Sequence, residues 1–326
     1  MVECGTTRFF PHIHYPIMPE SSHQELFDRI RGSCVLALPQ SATKVLELAR
    51  NPENGPPEYA KAISLDLGLT TQILRFVNSS FFGFRYKITT IQTALSLVCI
   101  RTIRNFVLWN AVFALLPDQS SGTFRLKMIF QDALRRGIFC KVIASYLAEL
   151  DPEELFVAGL VQDLSIPVLA QIWPKEYAEL LTRRREEGVR LSQLEEERFG
   201  WNHAVAGAYL AEAWGFGTQL GRSIHNHICA DFNYDGSKDT LADVVVALSA
   251  LLPSAADNYW PDGDEFCAAF HKVVRKPLLT ESLPPTLDRL LAEVDSRYLD
   301  MLTLTATPPP AMTLLDFQKE YLMSVE

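Results

Sequence analysis

Leu155-Phe-Val-Ala-Gly-Leu-Val-Gln-Asp-Leu-Ser-Ile-Pro-Val-Leu169 is an almost wholly apolar segment that carries one carboxylate, Asp163, near its middle. Apolar residues on nearly every side predict a helix enclosed by other helices, because a surface helix keeps one polar face. A lone buried carboxylate is strongly unfavourable, so Asp163 must find hydrogen-bond donors or a cation inside the fold. The segment therefore predicts a helical core with a charged centre.

The composition of the whole chain excludes several other classes of protein. Its 326 residues are 48% hydrophobic and 21% charged, which is an ordinary globular balance. Six cysteines without a Cys-x-x-Cys pair predict reduced thiols, and neither a disulfide framework nor a zinc site. The formal charge of −9 disfavours a general nucleic-acid binder, which needs clustered Lys and Arg.

The apolar runs and the N-terminus bear on localisation. The longest runs, such as Phe106–Leu116, are too short and too interrupted to cross a bilayer. The N-terminus lacks a basic region followed by a hydrophobic run, so we expect no signal peptide. We therefore expect a cytoplasmic protein without membrane insertion.

Several sequence blocks occur in a fixed order along the first two thirds of the chain, and no strand-like alternation of any length accompanies them. Together they resemble the HDOD domain, an HD-related, all-helical module of bacterial signalling proteins, from about Leu36 to His227. The blocks are Leu36-Ala-Leu-Pro39, Asp66-Leu-Gly-Leu-Thr-Thr-Gln-Ile-Leu-Arg-Phe-Val-Asn-Ser-Ser-Phe-Phe-Gly83, Ile88-Thr-Thr-Ile-Gln-Thr-Ala-Leu-Ser-Leu-Val-Cys-Ile-Arg-Thr-Ile-Arg-Asn105 and Gly200-Trp-Asn-His-Ala-Val-Ala-Gly-Ala-Tyr-Leu-Ala-Glu-Ala-Trp-Gly215.

This resemblance implies an all-α fold, namely an HD-domain-like multi-helix bundle with additional N- and C-terminal helical segments. We expect an irregular N-terminal arm over residues 1–22, because its prolines prevent a long helix. The HDOD domain is expected over residues 23–232, followed by a C-terminal helical extension over residues 233–326. Periodicity does not decide whether that extension is a separate lobe or a layer on the main body.

The segment around Asp163 resembles the Leu-His-Asp-Ile-Gly-Lys helix of HD-domain phosphohydrolases, in which the His-Asp pair ligates metal. Gln162 stands at the position of that His, while Ser165 and Ile166 replace the Gly and the Lys. The resemblance also places Asp132 at a further metal-binding His of the family. The implied vestigial site consists of Asp132, Gln162, Asp163, His203, Asn226 and His227.

Loss of histidines weakens the case for metal chemistry at this site. An HD hydrolase needs imidazoles and a carboxylate on one divalent ion, so that bound water ionises near neutral pH. An amide oxygen is a poor substitute for imidazole at a zinc or iron site. We therefore expect no catalytic residues, no cofactor and no metal. If Mg²⁺ or Mn²⁺ were held, the ligands would be Asp132, Asp163, His203 and His227.

The predicted function is that of a non-catalytic bacterial signal-transduction module that binds other proteins. Arg101 and Arg104 share one helical face, so they form a possible interaction surface for an acidic partner. The resemblance implies partners from histidine-kinase, response-regulator or cyclic-di-nucleotide pathways. Two alternatives stay open: a divergent metal-dependent phosphohydrolase that uses the carboxylate-rich residual site, and a sensor of a nucleotide or another small molecule.

Overall fold

The structure is a computed structural model. It describes residues 20–33, 39–49, 51, 53–79, 82–114, 126–214, 217–228, 238–255, 260–271, 286–305 and 309–325. Within these ranges the regular structure is helical and contains no β-strand, which confirms the predicted all-α fold. Of the irregular arm predicted over residues 1–22, residues 1–19 lie outside the described ranges, and residues 20–22 already belong to the first helix.

The structure describes the following helices in chain order. They are α1 (Glu20–Gly32), α2 (Gln40–Ala49), α3 (Pro56–Ser64), α4 (Leu67–Val77), α5 (Ile91–Leu97), α6 (Ile100–Ala114), α7 (Leu126–Ser145), α8 (Pro152–Val161), α9 (Ser165–Ile172), α10 (Pro174–Glu187), α11 (Leu191–Phe199), α12 (His203–Ala213), α13 (Thr218–Asn226), α14 (Lys238–Ala250), α15 (Gly263–Ala269), α16 (Leu287–Thr305) and α17 (Leu314–Val325).

Side-chain caps explain where several of these helices begin. Thr90, Asp151 and Asn202 accept hydrogen bonds from the first free backbone N–H groups of α5, α8 and α12, as the sequence predicts. From its residue type Thr70 is predicted to cap the helix that contains it, but Asp66 caps α4 instead, because its carboxylate accepts from the backbone N–H of Leu69 at 2.9 Å.

The apolar segment that we predicted as one helix is broken into α8 and α9. Pro167 causes the break, because it has no N–H to donate to the carbonyl of Asp163 four residues earlier. The backbone N–H of Ile166 donates to that carbonyl instead, at 3.0 Å, which tightens the chain into a turn. Asp163 therefore lies in the turn between two buried helices, not in the middle of one.

Helices α7 and α8 form the centre of the bundle and approach each other very closely. A Cβ atom at Gly159 would lie 2.8 Å from both the carbonyl oxygen of Arg136 and the Sγ of Cys140. A Cβ atom at Gly137 would lie 2.9 Å from the carbonyl oxygen of Phe156. Glycine at both positions lets the two backbones touch, and this brings the side chains of α7 up to the turn that holds Asp163.

The described part of the C-terminal region packs as a layer against the outer side of α7. Arg135, which is 1% exposed, donates from Nη1 to the carbonyl of Pro253 at 3.2 Å and from Nη2 to that of Met312 at 3.4 Å. Its guanidinium lies over the ring of Tyr298, 4.9 Å from the centroid. One buried arginine therefore fastens three parts of the C-terminal region to the central helix.

One stretch of the described residues, Pro152–Ile172, is long and apolar enough to span a membrane, so the prediction that the apolar runs are too short for this was wrong. It comprises α8, the turn and α9, and 83% of its most apolar window is buried inside the protein. Burial of this kind is typical of the core helices of soluble proteins.

Candidate functional site

Asp163 lies at the point where α7, α12 and α13 meet the turn between α8 and α9. It is 5% exposed, and the guanidinium of Arg136 on α7 forms an ion pair with its Oδ2. The close approach of α7 and α8 at Gly159 allows this contact, since Arg136 is packed directly against that glycine. The carboxylate therefore has a cation as its partner, and that cation is a side chain.

Two histidines lie on the other oxygen of the same carboxylate. His203 is the first residue of α12, and His227 follows the last residue of α13. Their Nε2 atoms lie 3.5 Å and 3.3 Å from Oδ1 of Asp163, and 3.1 Å from each other. All three residues are buried, and their ligand atoms lie within 4.8 Å of one another.

Hydrogen bonds on the far side of each ring assign the tautomers. Nδ1 of His203 lies 2.6 Å from a carboxylate oxygen of Glu195, and Nδ1 of His227 lies 2.5 Å from the carbonyl oxygen of Ile224. Oxygen atoms of carboxylates and carbonyls accept, so each ring carries a proton on Nδ1 and turns its Nε2 towards Asp163. Two Nε2 atoms and a carboxylate oxygen therefore converge, and a proton or a metal ion held between them would relieve the repulsion of their lone pairs.

Glu195, on α11, orients the ring of His203. It is fully buried and accepts from the hydroxyl of Tyr177 at 2.6 Å and from the backbone N–H of His203 at 2.8 Å, in addition to the His203 ring. Three donors on one carboxylate hold His203 in a single orientation. Burial, followed by the electrostatic interaction with His203, lowers the pKa of His227 well below its ordinary value, which favours the neutral form of His227.

The structure separates Asp132 and Asn226, two of the predicted site residues, from this cluster. Asp132 accepts from the hydroxyl of Ser254 at 2.5 Å and from the backbone N–H of Ala255 at 2.7 Å, so it fastens the C-terminal layer. Burial raises the pKa of this carboxyl, although Arg136 acts in the opposite direction. Asn226 donates to the carboxylate of Asp243 at 3.0 Å. Neither residue contributes a ligand atom to the group of Asp163, His203 and His227.

The three residues next to Asp163 that depart from the phosphohydrolase pattern, Gln162, Ser165 and Ile166, all have packing partners. The hydroxyl of Ser165 donates to the carbonyl of His203 at 2.6 Å, which fastens α9 to the start of α12. The Oε1 atom of Gln162 accepts from the hydroxyl of Ser249 at 3.2 Å, while its buried Nε2 makes no hydrogen bond with the described residues. Ile166 is 8% exposed and belongs to the apolar core.

The donor atoms of this site suit a divalent ion. Two imidazole Nε2 atoms and one carboxylate oxygen are a ligand set that zinc, iron and manganese accept. The bonds of His203 to Glu195 and of His227 to a backbone carbonyl are those that orient metal-bound histidines. The residues therefore fit a three-ligand ion. A catalytic ion also needs an open position for water and substrate, whereas Asp163, His203 and His227 are at most 5% exposed.

The two arginines of the predicted interaction surface differ in exposure. The side chain of Arg101 is 55% exposed and lies 3.4 Å from a carboxylate oxygen of Glu154. Arg104 is half-buried and donates from Nε to the side-chain oxygen of Asn105 at 3.3 Å. Burial lowers the pKa of Arg104. The pair therefore does not present two free cations to a partner.

Sequence reasoning missed Arg136, Glu195 and Tyr177. Arg136 had a usable signal, because Arg135 and Arg136 stand in a helix that is otherwise rich in buried apolar residues. Glu195 lies on the side of α11 that carries Leu191 and Leu194, which distinguishes it from the exposed glutamates that follow it.

Comparison with known proteins agrees with this architecture. The family model of the HDOD domain matches residues 35–229. A protein of Treponema pallidum whose function is not described is 27% identical over 194 residues, which are 58% of this chain and 37% of that protein. The chain thus spans little more than a third of the length of this relative.

Solved structures show the same fold. A protein of Shewanella amazonensis, named as a proposed phosphohydrolase, has a TM-score of 0.62 at 18% identity over 86% of this chain and 97% of that one. A proposed signal transduction protein of Marinobacter aquaeolei has a TM-score of 0.61 at 17% identity over 87% of this chain and 66% of that one. An HDOD domain protein of Geobacter sulfurreducens has a TM-score of 0.52 at 18% identity, with 88% and 89% coverage. At such identities the likeness concerns the fold alone.

Proposed function

The chain belongs to the HDOD domain family, and from that premise we propose that it is a non-catalytic signalling module that acts by binding other proteins. One observation carries the proposal: the carboxylate that would bind a catalytic ion is paired with the guanidinium of Arg136 inside a closed cluster. A buried pair of this kind cross-links helices. It does not offer the exchangeable water that hydrolysis requires.

The cluster holds four helices together. Arg136 belongs to α7, Glu195 to α11, His203 to α12, and His227 directly follows α13. If the cluster takes up an ion, that ion is structural, because the ligands are buried and one oxygen of Asp163 is already engaged by an arginine. The surface of the module then carries the function, through proteins of histidine-kinase, response-regulator or cyclic-di-nucleotide pathways in the cytoplasm.

Recovery of complexes from the source bacterium tests this function. The tagged full chain, produced at its native level, is cross-linked in cells through amines, and co-purifying proteins are quantified against a cytoplasmic control with the same tag. We expect a small set of proteins in amounts comparable to the bait. The same set should be recovered with His203→Gln, which would inactivate any metal chemistry. Absence of any protein enriched over the control would contradict the proposal.

A metal-dependent phosphohydrolase is the second candidate, because the donor set of Asp163, His203 and His227 fits a divalent ion. The metal content of the purified chain, with and without added Mn²⁺, measures whether these residues bind one. Bound metal that disappears in His227→Gln, together with turnover of a phosphodiester, would favour the enzyme. Bound metal without turnover would identify a structural ion.

A further inference from the structure

Basic and acidic side chains are segregated in one part of the chain. The whole protein carries a formal charge of −9, yet residues 67–117 contain no Asp or Glu. Five basic residues lie in that stretch, namely Arg75, Arg85, Lys87, Arg101 and Arg104. Because Arg101 reaches Glu154 and Arg104 is half-buried, the remaining cations of this stretch are Arg75, Arg85 and Lys87, all three of them exposed.

Two of these cations flank Tyr86 on a short segment between α4 and α5. Tyr86 is 86% exposed, the most exposed of the large hydrophobic side chains of the described residues. No ion pair or side-chain hydrogen bond joins Arg85, Tyr86 or Lys87 to the described part of the chain. Elsewhere exposed arginines do have such partners: Arg29 and Arg183, for example, each pair with a glutamate one helical turn away.

Contacts with the core anchor the chain on both sides of residues 85–87. The side-chain amide of Asn78, at the end of α4, donates to the carbonyl of Ile88 at 2.7 Å and accepts from its backbone N–H at 2.7 Å. Ile88 is 4% exposed and anchors the far side in the core. On the near side, the ring of Phe82 packs edge-on against Phe76, with 4.9 Å between their centroids. A backbone that is already ordered loses less conformational entropy when the segment binds a partner.

We propose that Arg85, Tyr86 and Lys87 form a docking site for an acidic surface of a partner protein. The inference rests on the proposed protein-binding function and assigns it a surface. A tyrosine on an anchored backbone supplies a large amphipathic contact with few rotatable bonds, and tyrosine is frequent among residues that dominate binding energy. The flanking cations raise the rate of encounter with a negatively charged partner and select against positively charged ones.

A protein fits this surface better than a nucleic acid. Nucleic-acid affinity comes from the neutralisation of many phosphates, and three cations on a chain of charge −9 provide few such contacts. A tyrosine between two cations, in contrast, matches an interface in which one aromatic side chain is buried and surrounded by polar contacts.

Site-specific cross-linking tests whether the docking site lies at Tyr86. The photoreactive residue p-benzoylphenylalanine is placed at position 86 of the full chain in the source bacterium, and at positions 65 and 185 in parallel. Leu65 is 83% exposed and Arg185 is also exposed. Adducts at these two positions therefore measure contacts of exposed surface outside the proposed docking site. We expect a protein adduct at position 86. Adducts at 65 or 185 without one at 86 would overturn this proposal and leave protein binding intact, whereas no protein adduct at any position would contradict both.

Charge reversal tests whether Arg85 and Lys87 contribute to binding of the partner that is cross-linked at position 86. Its dissociation constant is measured for the wild type, for Arg85→Glu with Lys87→Glu, and for Lys175→Glu with Arg185→Glu. The second pair lies on α10, is exposed, and changes the net charge equally. We expect at least ten-fold weaker binding for the first variant, less than two-fold for the second, and weaker wild-type binding at higher salt.

Several outcomes overturn the assignment. Equal effects of the two charge reversals would mean that only net charge matters. An adduct with a nucleic acid, or one at twice the mass of the chain, would replace the acidic partner with a polynucleotide or a second copy. Tyr86→Ala provides an independent measurement: we expect at least ten-fold weaker binding, and an unchanged dissociation constant would remove the tyrosine from the site.

Discussion

The guanidinium of Arg136 lies against one oxygen of the Asp163 carboxylate, while two histidine Nε2 atoms lie within 3.5 Å of the other oxygen. The arginine comes from α7 and the carboxylate from the turn after α8, so the pair connects the two helices that form the centre of the bundle. Its side chains are 15% and 6% exposed. A charge pair in such surroundings matters most when one partner is removed.

The first prediction concerns that pair. Arg136→Met leaves a buried carboxylate without its cation, and we expect the free energy of unfolding to fall by about 3–5 kcal/mol. Denaturant unfolding followed by circular dichroism measures the change. Arg183→Met, which removes a surface ion pair with Glu187, is the control and should have only a small effect. Equal losses for the two variants would contradict the importance of the buried pair.

Glu195 provides the second prediction. Glu195→Gln weakens the acceptor of three hydrogen bonds in a buried site, so we expect a loss of about 1–3 kcal/mol of stability. The tautomer of His203 should also change, because an amide no longer requires a proton on Nδ1. Nitrogen-15 NMR of the histidine rings measures the tautomer directly. The exposed Glu197→Gln should leave both stability and tautomer unchanged, and a wild-type-like spectrum for Glu195→Gln would show that Glu195 does not orient the ring.

The third prediction concerns the contact between α7 and α8. A methyl group at Gly159 meets the backbone of Arg136 and the sulfur of Cys140 at 2.8 Å, so Gly159→Ala should cost about 1–3 kcal/mol. Gly221 is also helical, and nothing lies within 4 Å of its Cβ position, so Gly221→Ala should be neutral or stabilising by up to about 1 kcal/mol. Thermal unfolding compares the two, and the same response for both would mean that the helices are not in backbone contact.

The fourth prediction is a pH dependence at Asp132. Burial raises the folded-state pKa of this carboxyl above its unfolded value, so the native state holds the proton more tightly. Its contribution to stability is therefore greatest below the unfolded pKa of about 4. The contribution falls as the pH rises towards the folded pKa, by up to about 1.4 kcal/mol per pH unit.

The comparison with Asp132→Asn isolates this carboxyl. An asparagine cannot ionise, so the free energy of unfolding of the variant should depend less on pH over the same window. The test is the difference between the two stability curves from pH 4 to pH 7. Parallel curves would contradict the raised pKa.

The fifth prediction concerns thiol reactivity. Burial raises the pKa of Cys140 to about 12, and its Sγ lies 3.8 Å from the carbonyl of Val245. Cys99 is exposed. At pH 8 iodoacetamide should therefore label Cys99 within minutes, and should label Cys140 only after unfolding in urea, as measured by peptide mass spectrometry. Rapid labelling of Cys140 in the folded protein would show that the contact between α7 and α8 opens.

The sequence predicts local features well and non-local ones poorly. Helix starts at Asp151 and Asn202 follow from a cap that lies next to the helix it begins. The family resemblance predicts that Asp163, His203 and His227 lie close together. The partners of Asp132 could not be predicted, because Ser254 and Ala255 are more than a hundred residues away and nothing in their local sequence marks them as partners.

Charged residues inside helices were the main source of error. Periodicity identifies the buried face of an amphipathic helix, but α7 is buried on most sides and so gives no direction for Arg135 and Arg136. Both arginines point inwards, one to the C-terminal layer and one to Asp163. The turn at Asp163 was predictable in principle, because Pro167 denies its carbonyl a helical donor.

The central claim is that the Asp163 cluster fastens helices and does not catalyse hydrolysis, and a turnover assay tests it most directly. The purified full chain is saturated with Mn²⁺ and incubated with a chromogenic phosphodiester and with cyclic dinucleotides, alongside Asp163→Asn shown by circular dichroism to be folded. We expect the wild type and the variant to release product at the same background rate. Turnover by the wild type that is absent from the folded variant would contradict the central claim and place the chain among metal-dependent hydrolases.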